Sequence, residues 1–174
     1  RNPVNRCFFC KSDLYGCLAA KTTAQLVSGA NLDDLGDYRP GLEAAKNHGV
    51  RHPFIEAGID KATVRALARG LGLGDVAELP SSPCLSSRVE TGLAVEPETL
   101  RAIDRAETDL RLMIDARDIR CRVREHGVVI ELDAASLAGL DEQARTSLID
   151  HVAPLFAGRP VSIEPYRRGS AFLH

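Results

Sequence analysis

The chain has 174 residues, with 22 Lys and Arg against 24 Asp and Glu, and a formal net charge of −2. Its 44% hydrophobic and 26% charged residues are typical of a globular protein, and no apolar run approaches the ~20 residues of a membrane-spanning helix. Residues 1–88 carry 11 basic against 9 acidic side chains and residues 89–174 carry 11 against 15, so neither half is basic enough for a dedicated nucleic-acid-binding domain.

Up to residue 73 the polar and apolar residues alternate between helical and strand-like periods. Helices are predicted over residues 11–24, 39–49 and 60–73, and strand-like runs over residues 24–31 and 51–58. Pro40 in a first turn, Asp60 as an N-cap and Gly72 as a C-terminal stop support the helices. Because strands and helices alternate, this part is expected to have parallel α/β layering.

A Pro- and Ser-rich connection without a clear period covers residues 74–92, and a different pattern follows it. Helices are predicted over residues 96–114 and 141–157, and strands near residues 119–124, 127–132 and 160–164. These elements indicate a small α+β unit. The predicted domains are therefore residues 1–88 and residues 89–174.

Five cysteines, an odd number, occur in a chain without secretory features, which favours the reduced thiols of a cytoplasmic protein. Cys7 and Cys10 form a CxxC pair in one predicted loop, and Cys84 lies in a distant segment whose irregular backbone would be free to line a site. Three such thiolates suit Zn²⁺ or an iron–sulfur cluster with one open coordination position. Three unrelated thiols are the alternative. Cys17 and Cys121 are interpreted as packing residues.

Polar side chains crowd residues 28–41, SGANLDDLGDYRPG, where a predicted strand ends. They are Asn31, Asp33, Asp34 and Asp37. Open α/β sheets bind ligands beyond the ends of their strands, and carboxylates this close together suit Mg²⁺ or the hydroxyls of a nucleotide. An Asp-rich turn in which an Asp caps the next helix explains the same residues.

Three arginines alternate along the predicted strand in RCRVREHG, residues 120–127. Since strand side chains alternate with period two, Arg120, Arg122 and Arg124 share one face. Guanidinium groups this close repel one another unless anions or carboxylates meet them, and Arg binds phosphate or carboxylate through two points. The face is predicted either to bind an anion or to be a solvated edge paired with surface acids.

Glu107 falls inside the apolar stripe of the long helix predicted at residues 96–114. The stripe consists of Leu100, Ile103, Leu110 and Ile114. A carboxylate on a buried side is costly unless paired, so Glu107 either meets an arginine or serves a site. A small rotation of the helix that buries Ala106 and leaves Glu107 at the edge is the other interpretation.

Four stretches, in this order, resemble the LarE-type sacrificial sulfur transferases of the PP-loop ATP-pyrophosphatase superfamily. They are RCFFCKSDLY, NLDDLGDYRPG, GVRHPFIEAGIDKATVRALARGLGL and SSPCLSSR, and RVREHG and EPYRRGS continue the resemblance more weakly. The resemblance implies an α/β fold: part of a Rossmann-like PP-loop domain followed by a small α+β domain. It also implies a step in nickel-pincer nucleotide cofactor synthesis. There, ATP with Mg²⁺ adenylylates a carboxylate of a pyridinium dicarboxylate mononucleotide, and sulfur then replaces the activated oxygen.

The resemblance assigns roles to the cysteines. Cys84, in PCLSSR, matches the sulfur-donating cysteine, and members with that cysteine alone give up its sulfur and retain dehydroalanine. With Cys7 and Cys10 present, the chain resembles the three-cysteine subgroup, whose 4Fe–4S cluster carries the transferable sulfide on the iron that lacks a cysteine ligand. Glu107 resembles a catalytic carboxylate near the reacting sulfur.

Other matching positions concern the substrate and ATP. The resemblance implies that the substrate phosphate is held by Ser87, Arg88, Arg122 and Arg124, and that Asn31, Asp33, Asp34 and Asp37 lie in the segment that closes on the nucleotide. The Gly-rich SGGxDS-type phosphate loop does not occur in residues 1–174, since LVSGANLDD lacks the paired glycines and the closing Ser. The chain is therefore expected to be the C-terminal part of a longer enzyme.

Two alternatives stay open. A PP-loop enzyme of tRNA thiolation can also carry a three-cysteine cluster, but it needs a basic RNA-binding face, which the net charge of −2 disfavours. A zinc-stapled scaffold would use His48 or His52 as a fourth ligand. The favoured interpretation implies a cytoplasmic homo-oligomer with a small-molecule substrate and neither nucleic acid nor a membrane as partner.

Overall fold

The computed structural model describes residues 2–79, 82–167 and 169–170. Pro80 and Ser81 of the predicted connection, and Arg168 of the EPYRRGS stretch, lie outside the described residues.

The chain divides into two compact units. The N-terminal unit spans Asn5–Ser82, and the C-terminal unit spans Pro83–His174 together with the segment Arg1–Val4. The division precedes Pro83, six residues before the boundary predicted from the sequence, so the Cys84 motif belongs to the C-terminal unit.

The N-terminal unit is helical. Its elements are α1 (Arg6–Ala19), a 3₁₀ turn (Leu32–Gly36), α2 (Pro40–Asn47), α3 (Pro53–Glu56), α4 (Lys61–Gly70) and α5 (Gly74–Ala77). Helix α1 packs on α2, and Tyr15, Ala45 and Val50 form a small core with Leu26 against it. The side chain of Asp60 accepts the Thr63 N–H as predicted for an N-cap, and the helices predicted at residues 39–49 and 60–73 are confirmed.

Two expectations for this unit are wrong, and a third is met only in part. Helix α1 begins at Arg6 rather than Lys11, so the CxxC pair lies on a helix and not in a loop. The run at residues 51–58 is not a strand but contains α3, because Pro53 favours a first helical turn and Gly58, at φ +69°, ends it. The strand predicted at residues 24–31 is reduced to a single parallel bridge between Val27 and Arg51.

The C-terminal unit confirms the predicted α+β pattern. Its elements are a 3₁₀ turn (Leu85–Arg88), α6 (Pro97–Met113), β1 (Ile119–Arg124), β2 (Gly127–Leu132), α7 (Ala134–Ala138), α8 (Glu142–Val152), a 3₁₀ turn (Ala153–Phe156) and β3 (Val161–Pro165). The strand order is β1-β2-β3, with β1 and β2 antiparallel and β2 and β3 parallel. The described residues thus form a mixed α/β structure with one small sheet, and the PP-loop domain stays a prediction.

The two faces of this sheet differ in chemistry. One face carries Cys121, Val123 and Ile130 into an apolar core that includes Ile103 and Leu110 of α6. The other face carries the arginines at alternate positions of β1 and the carboxylates of β2 and β3. Those residues are Arg120, Arg122, Arg124, Glu131 and Glu164.

None of the helices in the described parts of the chain combines the length and the apolar character needed to cross a membrane.

Candidate functional site

Cys84 stands at the start of a tight 3₁₀ turn in the C-terminal unit. The Ser87 N–H donates to the Cys84 carbonyl at 2.9 Å, and the Val89 N–H donates to the Ser86 carbonyl at 3.1 Å. The Cys84 side chain is exposed, and its Sγ lies 3.1 Å from Ser86 Oγ. The turn therefore presents an accessible thiol on a hydrogen-bonded backbone.

Arg88 ends this turn and points into the interior, where it meets Glu107 of α6. Its Nε lies 2.8 Å from Glu107 Oε1, and its Nη2 lies 3.0 Å from Oε2. Nη1 of Arg88 donates to the Pro83 carbonyl at 3.1 Å and to Ser87 Oγ at 3.2 Å. The guanidinium thus joins α6 to both ends of the Cys84 turn.

Glu107 is buried together with Ala106, so the rotation that would leave it at the edge of the helix does not occur. Its carboxylate also accepts the Cys121 N–H of β1 at 3.0 Å and an N–H of Arg111 at 3.3 Å. Burial by itself would raise the pKa of Glu107. The hydrogen bonds from Arg88 and Cys121, with the charges of Arg88 and Arg111, outweigh it and lower that pKa below its usual value.

Arg122 is buried on the charged face of the sheet and has two protein partners. Its Nε donates to Glu131 Oε2 at 3.0 Å, and its Nη1 donates to the Ser87 carbonyl at 2.8 Å. The second bond ties β1 to the Cys84 turn, which also pairs with β1 through the Val89–Val123 bridge.

Arg124 lies beside Arg122 and is partly exposed. Its Nη2 donates to Glu131 Oε1 at 3.0 Å and its Nη1 to Glu164 Oε2 at 3.4 Å. Its Nε is buried and has no hydrogen-bond partner among the described residues. Such an orphaned donor is costly unless a ligand or water accepts from it, so it is consistent with an anion site.

Arg120, the third arginine of β1, has a different environment. It is buried, lies 3.7 Å from Asp118 Oδ1, and its guanidinium stands over the Tyr166 ring at 5.6 Å. Burial, and after it the charge of Arg88, lower the pKa of Arg120. Of the predicted alternatives for this face, a solvated edge is wrong, because Arg120 and Arg122 are buried and Arg122 pairs with the buried carboxylate of Glu131.

The four residues expected to hold a phosphate come together in one unit. Arg122 bonds the Ser87 backbone, and Arg88 bonds the Ser87 side chain. Arg124 joins them through the carboxylate that it shares with Arg122. The residue that sequence reasoning missed is that carboxylate, Glu131, which is completely buried. A single Glu within the apolar strand GVVIEL was the available signal.

The remaining cysteines separate into exposed and buried thiols. Cys7 and Cys10 lie one turn apart on α1, on one side of the helix, and are half-buried and exposed, respectively. Cys121 is a packing residue as predicted, and burial, with the nearby Glu107 charge, raises the pKa of its thiol. Cys17 is not a packing residue, because its side chain is exposed.

The Asp-rich segment of the N-terminal unit uses its side chains as helix caps. Asn31 accepts the Asp33 N–H at 3.1 Å, and Asp34 accepts the Asn31 N–H at 3.0 Å, which together form a capping box. Asp33 accepts the Lys61 N–H at 3.0 Å, and Asp34 lies 2.8 Å from Arg39. Asp37 is 3.4 Å from Arg39.

The resemblance implies two inorganic groups, Mg²⁺ and an iron–sulfur cluster, and the residues present suit the cluster better than the ion. Within either unit, no group of three His, Cys, Asp or Glu among the described residues is arranged around a metal ion. The carboxylates of Asp33 and Asp34 accept backbone N–H groups and that of Asp37 lies beside Arg39, so they form no ready Mg²⁺ site, and Mg²⁺–ATP binding by them stays a prediction. Accessible thiols at Cys7, Cys10 and Cys84 are suitable donors for an iron–sulfur cluster. Their joint ligation also stays a prediction.

The two histidines of the zinc alternative have protein neighbours. His52 Nδ1 lies 2.6 Å from Ser28 Oγ, and the His48 ring lies beside that of Tyr15, with centroids 6.1 Å apart.

Comparison with known proteins identifies distant relatives. No protein-family model matches the chain. It is 42% identical to an uncharacterized protein of Synechocystis sp. over 135 residues, 75% of its length, and 29% identical to an uncharacterized protein of Methanocaldococcus jannaschii over 137 residues, 76% of its length. It is 31% identical to the pyridinium-3,5-bisthiocarboxylic acid mononucleotide synthase of Lactiplantibacillus plantarum over 140 residues, 78% of its length. The chain is a distant relative of that synthase.

The three alignments cover 50%, 53% and 50% of the respective relatives. The chain thus spans about half the length of the curated relatives it matches. The similarity to the synthase supports the resemblance to LarE-type sulfur transferases.

Proposed function

We propose that this chain is the sulfur-transfer part of an ATP-dependent enzyme that thiolates a pyridinium dicarboxylate mononucleotide for nickel-pincer nucleotide cofactor synthesis. The relative from Lactiplantibacillus plantarum, whose name denotes a pyridinium mononucleotide synthase, supports this substrate class. The motif resemblance supports the same reaction.

The observation that carries the proposal is the joining of a thiol and a guanidinium cluster on one short turn. Cys84 begins the turn, and Ser87, three residues later, is bonded by Arg122 through its backbone and by Arg88 through its side chain. Arginine binds phosphate through two points, so a phosphate held at Arg122 and Arg124 would keep a nucleotide beside the Cys84 turn. Sulfur transfer requires this proximity of the donor sulfur to the reacting carboxylate.

The chemical balance of the step is simple. Activation of the carboxylate by ATP makes AMP the leaving group, with release of pyrophosphate. Sulfur then forms a bond to the carboxyl carbon, and the bond from that carbon to the AMP oxygen breaks. If Cys84 itself is the donor, its Cβ–S bond breaks and a proton is lost from Cα, which leaves dehydroalanine.

Three thiols, at Cys7, Cys10 and Cys84, would hold a 4Fe–4S cluster, which would supply a sulfide in place of the cysteine sulfur. The role of this chain is then to provide thiolate ligands and to hold the substrate. Iron and acid-labile sulfide in anaerobically purified protein would support this form. Stoichiometric Zn²⁺ without iron or colour would support a scaffold instead.

The experiment that tests the function is product analysis by mass spectrometry. The enzyme of which this chain is proposed to be a part is incubated with ATP, Mg²⁺ and pyridinium-3,5-dicarboxylate mononucleotide, and the product is examined for exchange of oxygen for sulfur. Cys84→Ser should abolish the exchange, whereas Cys17→Ser, which removes another exposed thiol, should not. Exchange that survives Cys84→Ser would exclude Cys84 as donor or ligand.

A further inference from the structure

We propose that Glu131 is a positioning residue that aims Arg122 and Arg124 at the substrate phosphate and thereby makes the site select phosphorylated ligands. The inference rests on the proposed function, because it concerns the same phosphate site. Glu131 belongs to none of the motifs that carry the resemblance.

The contacts of Glu131 divide its carboxylate between the two arginines. Oε2 accepts from Arg122 Nε at 3.0 Å, and Oε1 accepts from Arg124 Nη2 at 3.0 Å. Ser170 also donates to Oε1, at 2.5 Å. Each oxygen thus fixes one guanidinium, and each arginine keeps further N–H groups for a ligand.

The burial of Glu131 implies that this arrangement is rigid. The residue is 0% exposed. A carboxylate withdrawn from water is tolerated only when it is paired and hydrogen-bonded, so its two oxygens must stay on the two guanidinium groups. Arg122 and Arg124 are two residues apart on one strand and would repel each other without it.

The orphaned donor of Arg124 points to a ligand at this place. Its Nε is buried without a partner among the described residues, while Nη1 and Nη2 are held by Glu164 and Glu131. A phosphate oxygen would satisfy such a donor.

Glu131 could act by positioning the arginines or only through its charge, and these two roles predict opposite effects of Glu131→Gln on phosphate binding. If Glu131 acted only by its charge, its removal would raise the positive potential and tighten anion binding. If it positions the arginines, the amide oxygen of Gln can still accept from one guanidinium. The amide NH₂ then faces the second guanidinium, and because both groups are donors they cannot hydrogen-bond, so that arginine loses its orientation. Binding of a phosphate should then weaken.

The experiment measures binding of pyridinium-3,5-dicarboxylate mononucleotide and of its dephosphorylated riboside by titration calorimetry. For Glu131→Gln we expect the mononucleotide to bind roughly ten- to hundredfold more weakly, the range for a lost hydrogen bond to a charged group. The riboside should bind as it does to the unaltered chain. A merely structural role for Glu131 would weaken both ligands equally.

Two further variants complete the design. Glu131→Asp keeps the charge but is one methylene shorter, so it should also lose its preference for the mononucleotide over the riboside. It replaces Glu131→Gln in the test if that variant does not fold. Glu98→Gln, which removes a carboxylate from an exposed pair with Arg101, is the matched control and should change nothing. Tighter mononucleotide binding by Glu131→Gln would overturn the inference about Glu131 but not the phosphate site. An unaltered preference of Glu131→Asp for the mononucleotide over the riboside would do the same. An unaltered chain that does not prefer the mononucleotide would overturn the phosphate site, and this inference with it.

Discussion

Arg88 and Glu107 form a two-point ion pair inside the C-terminal unit, with side chains that are 5% and 4% exposed. The same guanidinium donates to the carbonyl of Pro83, the residue before Cys84. The pair therefore links the long helix α6 to the backbone that carries the accessible thiol. We expect it to act on function by holding the Cys84 turn in place.

Breaking this pair should be costly. Removal of one partner of a buried ion pair leaves an uncompensated charge, so Glu107→Ala should lower the free energy of unfolding by about 3–5 kcal/mol. Chemical denaturation of the two proteins measures the difference. Glu98→Ala breaks an exposed pair with Arg101 and should cost about 1 kcal/mol or less. Equal losses for the two variants would show that burial contributes nothing.

The ion pair of Arg88 and Glu107 should also make the free energy of unfolding depend on pH in the acid range. The pKa of Glu107 is lowered in the folded chain, so the unfolded chain binds more protons between the lowered value and the usual carboxyl pKa of about 4.3. The stabilisation by ionised Glu107 is therefore complete above pH ~4.3 and is lost as the pH falls through the pKa that Glu107 has in the folded chain. The difference in free energy of unfolding between the native chain and Glu107→Gln should narrow below pH ~4.3. A difference that stays constant down to acid pH would contradict the pairing.

Thiol reactivity should follow exposure. In metal-free protein, Cys10, Cys17 and Cys84 should be alkylated by iodoacetamide at the rates of open thiols, because their side chains are exposed. Cys121 should react slower by a factor on the order of 10³ or more, since its exposure requires opening of the sheet. Mass spectrometry of peptides from samples quenched at successive times measures the alkylation rate of each cysteine. Fast alkylation of Cys121 under native conditions would show that the sheet opens readily.

Arg122 should contribute to affinity through phosphate alone. Arg122→Ala is expected to weaken binding of the pyridinium mononucleotide by roughly 1.5–3 kcal/mol, as for a lost hydrogen bond to a charged group, and to leave riboside binding nearly unchanged. Arg105→Ala, which removes an exposed arginine paired with Asp109, is the control. Similar losses for both ligands would mean that Arg122 serves the fold through Glu131 and Ser87.

Local signals explain which elements were predicted correctly. Helix α4 follows from Asp60 and its apolar period, and β1 and β2 follow from their alternating or apolar runs. The segment RHPFIEAG was misassigned because its apolar run suits a strand, whereas Pro53 and Gly58 act through backbone geometry to allow one short helix.

The site shows a second limit of sequence reasoning. The pairing of Glu107 with an arginine could be foreseen, since a buried carboxylate needs a cation, but not the choice of Arg88, which lies 19 residues away in the chain. Glu131 was not foreseen because its partners become neighbours only when the sheet has formed. Cys17 was assigned to packing from its place in a helix, but the side of a short helix that faces the core depends on its neighbours.

Protection of Cys84 from alkylation tests most directly whether a pyridinium mononucleotide is bound beside it. With the mononucleotide at ten times its Kd, about one site in eleven is free, so alkylation of Cys84 should slow about tenfold. Cys17 should react at an unchanged rate, and the riboside at the same concentration should protect Cys84 far less. If Cys84 reacts as fast with the bound mononucleotide as without it, the substrate does not lie at the Cys84 turn, and the proposed sulfur transfer from this site is wrong.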